Sequence, residues 1–547
     1  MRRPIALFRL SIRENEKLHM IPVTKQSKVN AYDETPYESH PHANSRPDYL
    51  RTVGRLFGMN PPAVETARVL ELGCAEGGNI LPHATKYPKA EFIGVDLSKV
   101  QIDAGKKHIK GMRLKNIELK HMSIADVDES FGEFDYIICH GVISWVPDFI
   151  RGKIFDACSK NLSPQGIAYI SYNTLPGWNM IRTIRDMMLY HGQMFTHPEE
   201  KIAQSRSLLN FVNETLQGST TPYALMLKEE ADMLSQQDDY YLRHDHLEEE
   251  NKQFYFSEFI SEANQRGLQY LSDCKISSMF TGNLPQQAAE KLSEITDIIR
   301  AEQYMDFITN RRFRHTLLCH GNVAINRRLN YSMARNFAMS ANVFTDNALN
   351  DVDLEKNESI TFYFDKKKVN TISTRSAVMK AILYTLIETQ MRPLSFNQIV
   401  QRANDKLKKT DKAKIEAELE NNAIMMLIKG VLELSSETSN YSKINLDKPK
   451  LSKMALYQIK NTPKHWVTNK MHNSISINYF DRLAGKHMNG RNTASQILEK
   501  LVEDAKAEKF TLVINEEPVT ENKSLKQNLS DVLNKTINKF FKNALLV

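Results

Sequence analysis

The segment VLELGCAEGGN at 69–79 carries the strongest chemical signal in the chain. Glu71 closes an apolar run that reads as a buried strand. Gly73 and Gly77 then let the backbone turn sharply beneath a ligand, with the amides of the next helix facing it. Cys74 lies inside the same turn. A glycine loop alone also suits a dinucleotide. The acid ahead of the first glycine separates the two cases. It would repel a pyrophosphate, and it suits the cationic amino acid end of S-adenosyl-L-methionine (AdoMet). A second acid, Asp96 in EFIGVDLS, stands 23 residues after Gly73. At a strand end it can accept both ribose hydroxyls, with Leu97 beside it. Otherwise Asp96 is a solvated strand-end acid or a helix N-cap.

These residues need a sheet to hold them. From 66 to 175 the chain alternates apolar runs (ARVLELG, KAEFIGVDLS, LKNIELKHMSI, FDYIICHGVISWV, GIAYISYNT) with amphipathic stretches. That alternation predicts an α/β fold, a parallel Rossmann-like sheet covered by helices on both faces. The expected domains are a leader over 1–30, an AdoMet-binding core over 31–195, and a mainly helical middle domain over 196–345. A winged-helix-like unit follows over 346–445, with three helices and the strand VLELS, then a polar helical domain over 446–547. Apolar residues three and four apart carry the helical assignments.

Composition bounds the rest. The 547 residues are too many for one core, and their 41% hydrophobic and 25% charged content is that of a globular protein. The net charge of +7 fits a background rich in Lys, Asn and Ile as well as it fits an anionic partner. Five cysteines at 74, 139, 158, 274 and 319 form no C-x-x-C pair. They indicate no metal site, and their odd count suggests a reducing, cytoplasmic setting. The first twenty residues are too interrupted by charge for a signal peptide, and Met20 is an alternative start. No later run has the apolar length of a membrane span.

The run 69–175 resembles the class I methyltransferase core. It departs in two places: Ala75 replaces the usual middle glycine, and Ser123, in HMSIADV, replaces an adenine-binding acid. Ile124 would pack on the adenine, and Asp126 is a second candidate acceptor. Longer segments, YDETPYESHPHANSRPDYL, SYNTLPGWNMIRTIRDMMLYH, YYLRHDHLEEENKQFYFSEFISEANQRGLQYL and EQYMDFITNRRFRHTLLC, are similar to bacterial methyltransferases with a regulatory domain. Among these the chain most resembles the rickettsial protein lysine methyltransferases that modify outer-membrane protein B.

The resemblance implies AdoMet as cofactor, S-adenosyl-L-homocysteine (AdoHcy) as product, and lysines of a bacterial surface protein as acceptor. It places Tyr32 and Tyr37 in a lid over the cofactor, the alternative being a capping loop packed on the core. At the end of the fourth strand it turns His140, Gly141, Ser144 and Trp145 toward the sulfonium. His140 then contacts cofactor or substrate, transfers a proton, or only makes structural hydrogen bonds. Trp145, Tyr172 and Trp178 are the expected wall of an acceptor channel. A protonated lysine, with a pKa of ~10.4, costs about 4–5 kcal/mol to neutralise at pH 7. An apolar aromatic channel lowers that cost.

HDHLEEE at 244–250 reads as a solvent-facing helix start, as a metal pair through His244 and Glu248, or, by resemblance, as a border of the active site. The basic run at 406–414 is followed by Glu416, Glu418 and Glu420, which favours a solvated face or a protein-binding or dimerisation surface over nucleic acid. A methyltransferase acting on RNA or a small molecule, and a scaffold that binds AdoMet without turnover, remain the alternatives.

Overall fold

The computed structural model describes residues 33 and 36–547, except 409–410, 439–443, 515–516 and 519–521. Tyr32 and the expected leader, with Met20, lie outside the described residues.

The first helix, α1 (Pro47–Leu56), opens with proline at its first position, where no amide hydrogen is needed. The core then alternates β1 (Arg68–Leu72), α2 (Ile80–Lys86), β2 (Glu91–Asp96), α3 (Lys99–Met112), β3 (Ile117–His121), β4 (Phe134–Cys139), α4 (Asp148–Lys160) and β5 (Leu162–Asn173). These strands are parallel. Because helices cover both faces, the central strands are almost wholly buried and read as nearly continuous apolar runs. Ser98 starts α3 by accepting from the Gln101 amide, and Arg113 ends it in the left-handed conformation.

Three helices follow: α5 (Trp178–Gly192), α6 (Pro198–Thr215) and α7 (Pro222–Ser235). They bury a small cluster of their own, including Ile184, Met188, Leu209 and Leu227. The chain then returns through α8 (Phe256–Asn264), β6 (Leu268–Asp273), α9 (Gln286–Ser293), α10 (Ile298–Thr309) and β7 (Phe313–His320). The sheet order is β3-β2-β1-β4-β5-β7-β6, with β7 antiparallel to both β5 and β6. The segment expected to be mainly helical therefore supplies two strands to this sheet, and the core sheet ends at residue 320, not near 195. Strands of six and eight residues set between helices carry too few periods to stand out from the helical pattern around them.

The next unit has β8 (Ala338–Ala341), a hairpin of β9 (Ile360–Tyr363) and β10 (Thr371–Thr374), α11 (Ala377–Glu388), β11 (Leu394–Ser395), α12 (Phe396–Asn404), α13 (Lys412–Ile428) and β12 (Leu432–Ser435). β8 lies between β11 and β12 in an antiparallel sheet against the three helices. Around its basic run, Lys406 pairs with Glu388, and Arg335 pairs with Glu416 and Glu420.

The last unit contains α14 (Lys453–Asn461), β13 (Trp466–Thr468), β14 (Ser474–Ser476), α15 (Tyr479–Gly485), α16 (Ala494–Lys506) and α17 (Asn522–Lys542), around a core of Ile459, Val467, Leu501 and Phe540. Among the described residues no helix is long and apolar enough to cross a membrane.

Candidate active site

Strand order reverses between β1 and β4, so the crevice beyond their carboxyl ends is where an α/β sheet binds ligand. A cavity of about 410 Å³ opens there. Of the residues singled out in the sequence, Tyr37, Glu71, Gly73, Cys74, Asp96, Leu97, Ser123, Ile124, His140, Gly141 and Trp145 line it.

One end is built on the glycine loop. Gly73 has φ +75° and an added Cβ would collide with Val142; Gly77 has φ +84° and packs behind the loop against Leu81 and Leu119, off the lining. Ala75 adopts φ +49° despite its Cβ, at a cost of roughly 1 kcal/mol. Asp96 holds this loop to β2. Its two carboxylate oxygens accept from the Ala75 amide (2.8 Å) and the Ser98 amide (2.8 Å), and each oxygen keeps a lone pair for the cavity.

Glu71 is buried. Its Oε1 accepts from the Asn79 side-chain amide at 2.7 Å, and its Oε2 is hidden with no hydrogen-bond partner. Burial, with a smaller push from Asp96, lifts its pKa to about 8 against the opposing Asn79 bond.

At the adenosine end Ser123 caps its own turn through the Ala125 amide (3.1 Å). Asp126 is exposed and off the lining. The sequence did not reveal Gln101, on the first turn of α3, whose hidden Oε1 is unpartnered beside the cavity.

His140 occupies the other end. Its ring stacks on His42 at 3.5 Å, and its Nδ1 lies 2.7 Å from the Tyr169 hydroxyl and 3.2 Å from Ser171 Oγ. Burial drives the basicity of His140 far below normal and lowers His42 to about 3. Such a ring suits contact better than proton transfer. Trp145 lines the cavity, and Trp178 stands edge-on behind it at 5.9 Å. Tyr172 is not a channel wall. It is fully buried, stacked on Phe259 at 3.9 Å with its hydroxyl 3.0 Å from Thr316 Oγ1. Alternation along β5 turns its neighbours the other way: Ser171 accepts from the Gly141 amide (2.8 Å), and Asn173 reaches the cavity.

Two more distant segments bear on the site, one lining the cavity and the other packed behind it. Residues 242–246 form a π-helical turn; His244 and Asp245 line the cavity and His246 is buried, so this is no solvent-facing helix start. Tyr37 meets His244 edge-on at 5.8 Å. From the last unit, His472 Nε2 lies 2.7 Å from Asn79 Oδ1, which also accepts from the His42 amide at 2.9 Å. Trp466 donates to Glu38 at 2.8 Å and covers His40, and Lys464 pairs with Glu76. No local sequence signal announced these contacts.

Three family models match: "Methyltransferase domain" over 69–166, "Predicted methyltransferase regulatory domain" over 238–320, and "PKMT, C-terminal winged helix domain" over 447–545. The last of these falls on the segment expected to be a helical domain. An uncharacterized protein of Rickettsia prowazekii (strain Madrid E) is 51% identical over 519 residues, 95% of this chain and 94% of that protein. The solved structure of PKMT2 from Rickettsia typhi is 42% identical with a TM-score of 0.85, covering 93% of this chain and 100% of that one. The same protein in complex with AdoHcy gives a TM-score of 0.86.

This chain belongs to the PKMT family of class I AdoMet-dependent methyltransferases. AdoMet is its cofactor, and the site fits it. The free Oε2 of Glu71 would take the α-ammonium, Asp96 the ribose hydroxyls, and Ile124 with Gln101 the adenine side.

The raised Glu71 pKa has a measurable consequence. Between pH 4.5 and about 8 the folded chain keeps a proton that the unfolded chain releases, so this carboxyl erodes stability as pH rises through that window. Glu71→Gln is therefore expected to raise the melting temperature of the ligand-free protein by a few degrees at about pH 9 and to leave it unchanged near pH 4. The same variant should bind AdoHcy at least tenfold more weakly, having lost a charge-assisted bond. Thermal scans at the two pH values and calorimetric titration check both.

Proposed function

We propose that the chain methylates lysine side chains of a protein, with a bacterial outer-membrane or surface protein as acceptor. The observation that carries this reading is the make-up of the acceptor end of the cavity. Trp145, Phe313 and Tyr37 line it together with the neutral rings of His42 and His140. Such aromatic surfaces favour the free amine that must react over its ammonium once the proton has left. AdoMet supplies an electrophilic methyl group on a sulfonium. The chain's own residues do the positioning: the glycine loop, Glu71 and Asp96 fix one reactant, and the aromatic walls exclude water and align the amine. The middle and C-terminal units would grip the acceptor while it is unfolded or extended. We place this work in the cytoplasm, where the five free cysteines, all buried, would stay reduced.

The test offers labelled AdoMet, a recombinant rickettsial surface protein and, in a parallel tube, total tRNA. Mass spectrometry locates the label, with Asp96→Ala as control. Methyl-lysine in the protein, absent with the variant, is the expected result. Label in tRNA alone overturns the lysine assignment and leaves a methyltransferase of RNA. AdoHcy binding with no transfer to any acceptor points to a scaffold.

A further inference from the structure

Resting on the lysine reading, we infer that Asp245 is a catalytic residue that receives the acceptor's ammonium and takes its proton. Among the described residues three carboxylates line the cavity: Glu71, Asp96 and Asp245. Glu71 is bonded to Asn79, and Asp96 holds the Ala75 and Ser98 amides, so both belong to the cofactor half. Asp245 comes instead from the 242–246 turn, together with His244, whose ring meets Tyr37. Its Oδ2 is hidden from solvent and has no hydrogen-bond partner. A hidden, unpaired carboxylate oxygen in a cavity costs free energy unless something cationic or protic meets it. The turn is π-helical, a local distortion that recurs at functional sites because it re-aims side chains.

The electrostatic setting agrees. Burial, opposed by His244, raises the Asp245 carboxyl to about 7. An ordinary aspartate, near ~3.9, is a poor proton acceptor for a lysine of ~10.4; a carboxyl near 7 closes about half of that gap. The groups around it do not compete for the role. His244 shares its turn and sits 3.3 Å from Glu248. The hydroxyls of Tyr240 and Tyr241, on the preceding turn, are held protonated by burial. His40, His42 and His140, which also line the cavity, all have lowered basicity, and the buried ring of His246, next along the turn, is lowered to about 4.

An N–H bond of the lysine ammonium breaks as an O–H bond forms on Asp245. The freed nitrogen pair bonds the AdoMet methyl carbon, and the C–S bond breaks with its electron pair retained by sulfur. The products are AdoHcy and a methylated ammonium, and the proton on Asp245 passes to water.

The test uses the full chain and a synthetic peptide with one lysine, measuring methyl transfer against pH and locating the methyl by mass spectrometry. For Asp245→Asn, kcat/KM for the peptide is expected to fall about 100-fold. AdoHcy affinity should stay within about twofold of wild type, and the wild-type limb rising through about pH 7 should disappear. Asp245→Glu should recover part of the rate. Replacing lysine by the less basic aminoethylcysteine should help Asp245→Asn more than wild type. Lysine methylation by wild type with an unchanged kcat/KM and pH profile in Asp245→Asn overturns the Asp245 assignment alone. A parallel loss of AdoHcy affinity overturns it too, since the residue would then serve the cofactor or the fold. Methyl on a residue other than lysine in the wild-type reaction overturns the lysine reading and this inference with it.

Discussion

Asp96→Ala is expected to weaken AdoHcy binding by about 10²–10³-fold, measured by calorimetric titration at neutral pH. Charge-assisted hydrogen bonds contribute about 1.5–3 kcal/mol each, and two ribose hydroxyls would depend on this carboxylate. The loss is compounded within the protein. Asp96 accepts from Ala75 and Ser98, each at 2.8 Å, and Ala75 already sits in the left-handed region. Without the carboxylate that anchors it, the loop has less reason to hold a strained turn, so the variant loses both the ligand's partner and the shape of the loop beneath the ligand. Asp96→Asn separates the two effects. It keeps an acceptor for one amide and the side-chain volume, and should fall between wild type and alanine.

The largest effect on stability is expected at Arg314. It is 0% exposed on β7, with Nε and Nη2 on the two oxygens of Asp306 (2.8 and 2.9 Å) and Nη1 on Glu302 (2.9 Å). Its guanidinium lies 3.7 Å from the centre of the Phe256 ring. Asp273 is 3.6 Å away, and Tyr270 donates to Glu302. Burial raises the Glu302 and Asp306 carboxyls even with Arg314 in place, so the cluster has no charge to spare. Arg314→Leu leaves three buried carboxylates with Arg311 as their remaining cation among the described residues. Breaking a buried pair from one side costs about 3–5 kcal/mol, or roughly 6–20 °C for a unit of this size. Thermal unfolding should show that loss, and Arg314→Lys should recover little of it, because an ammonium cannot form the two-pronged contact.

The parts of the fold legible in the sequence were those with local physics. Of the five parallel strands, β1, β2, β4 and β5 are almost wholly buried and read as apolar runs, and Glu71, Gly73 and Asp96 stand where strands end. What escaped was of two kinds. The first is register. Tyr172 and Asn173 are neighbours, and a one-residue offset decides which of them reaches the cavity. The second is distance. Asn79 was inside the quoted motif, but its partners His42 and His472 lie 37 and 393 residues away. The HDHLEEE segment shows the same limit. Its charge pattern looks solvated, and only packing against Tyr37 and the cavity turns His244, Asp245 and His246 inward.

The grip of the β13–β14 segment on Asn79, Glu38 and Glu76 also sets the order of events during synthesis. A nascent chain can complete its central sheet once residue 320 has emerged, yet the amide that orients Glu71 still lacks the His472 contact. Translation at roughly 5–20 residues per second leaves an interval of many seconds in which a sheet without its final clasp awaits the last unit. The contacts of His472, Trp466 and Lys464 with the cofactor half therefore form last, when the far end of the chain docks.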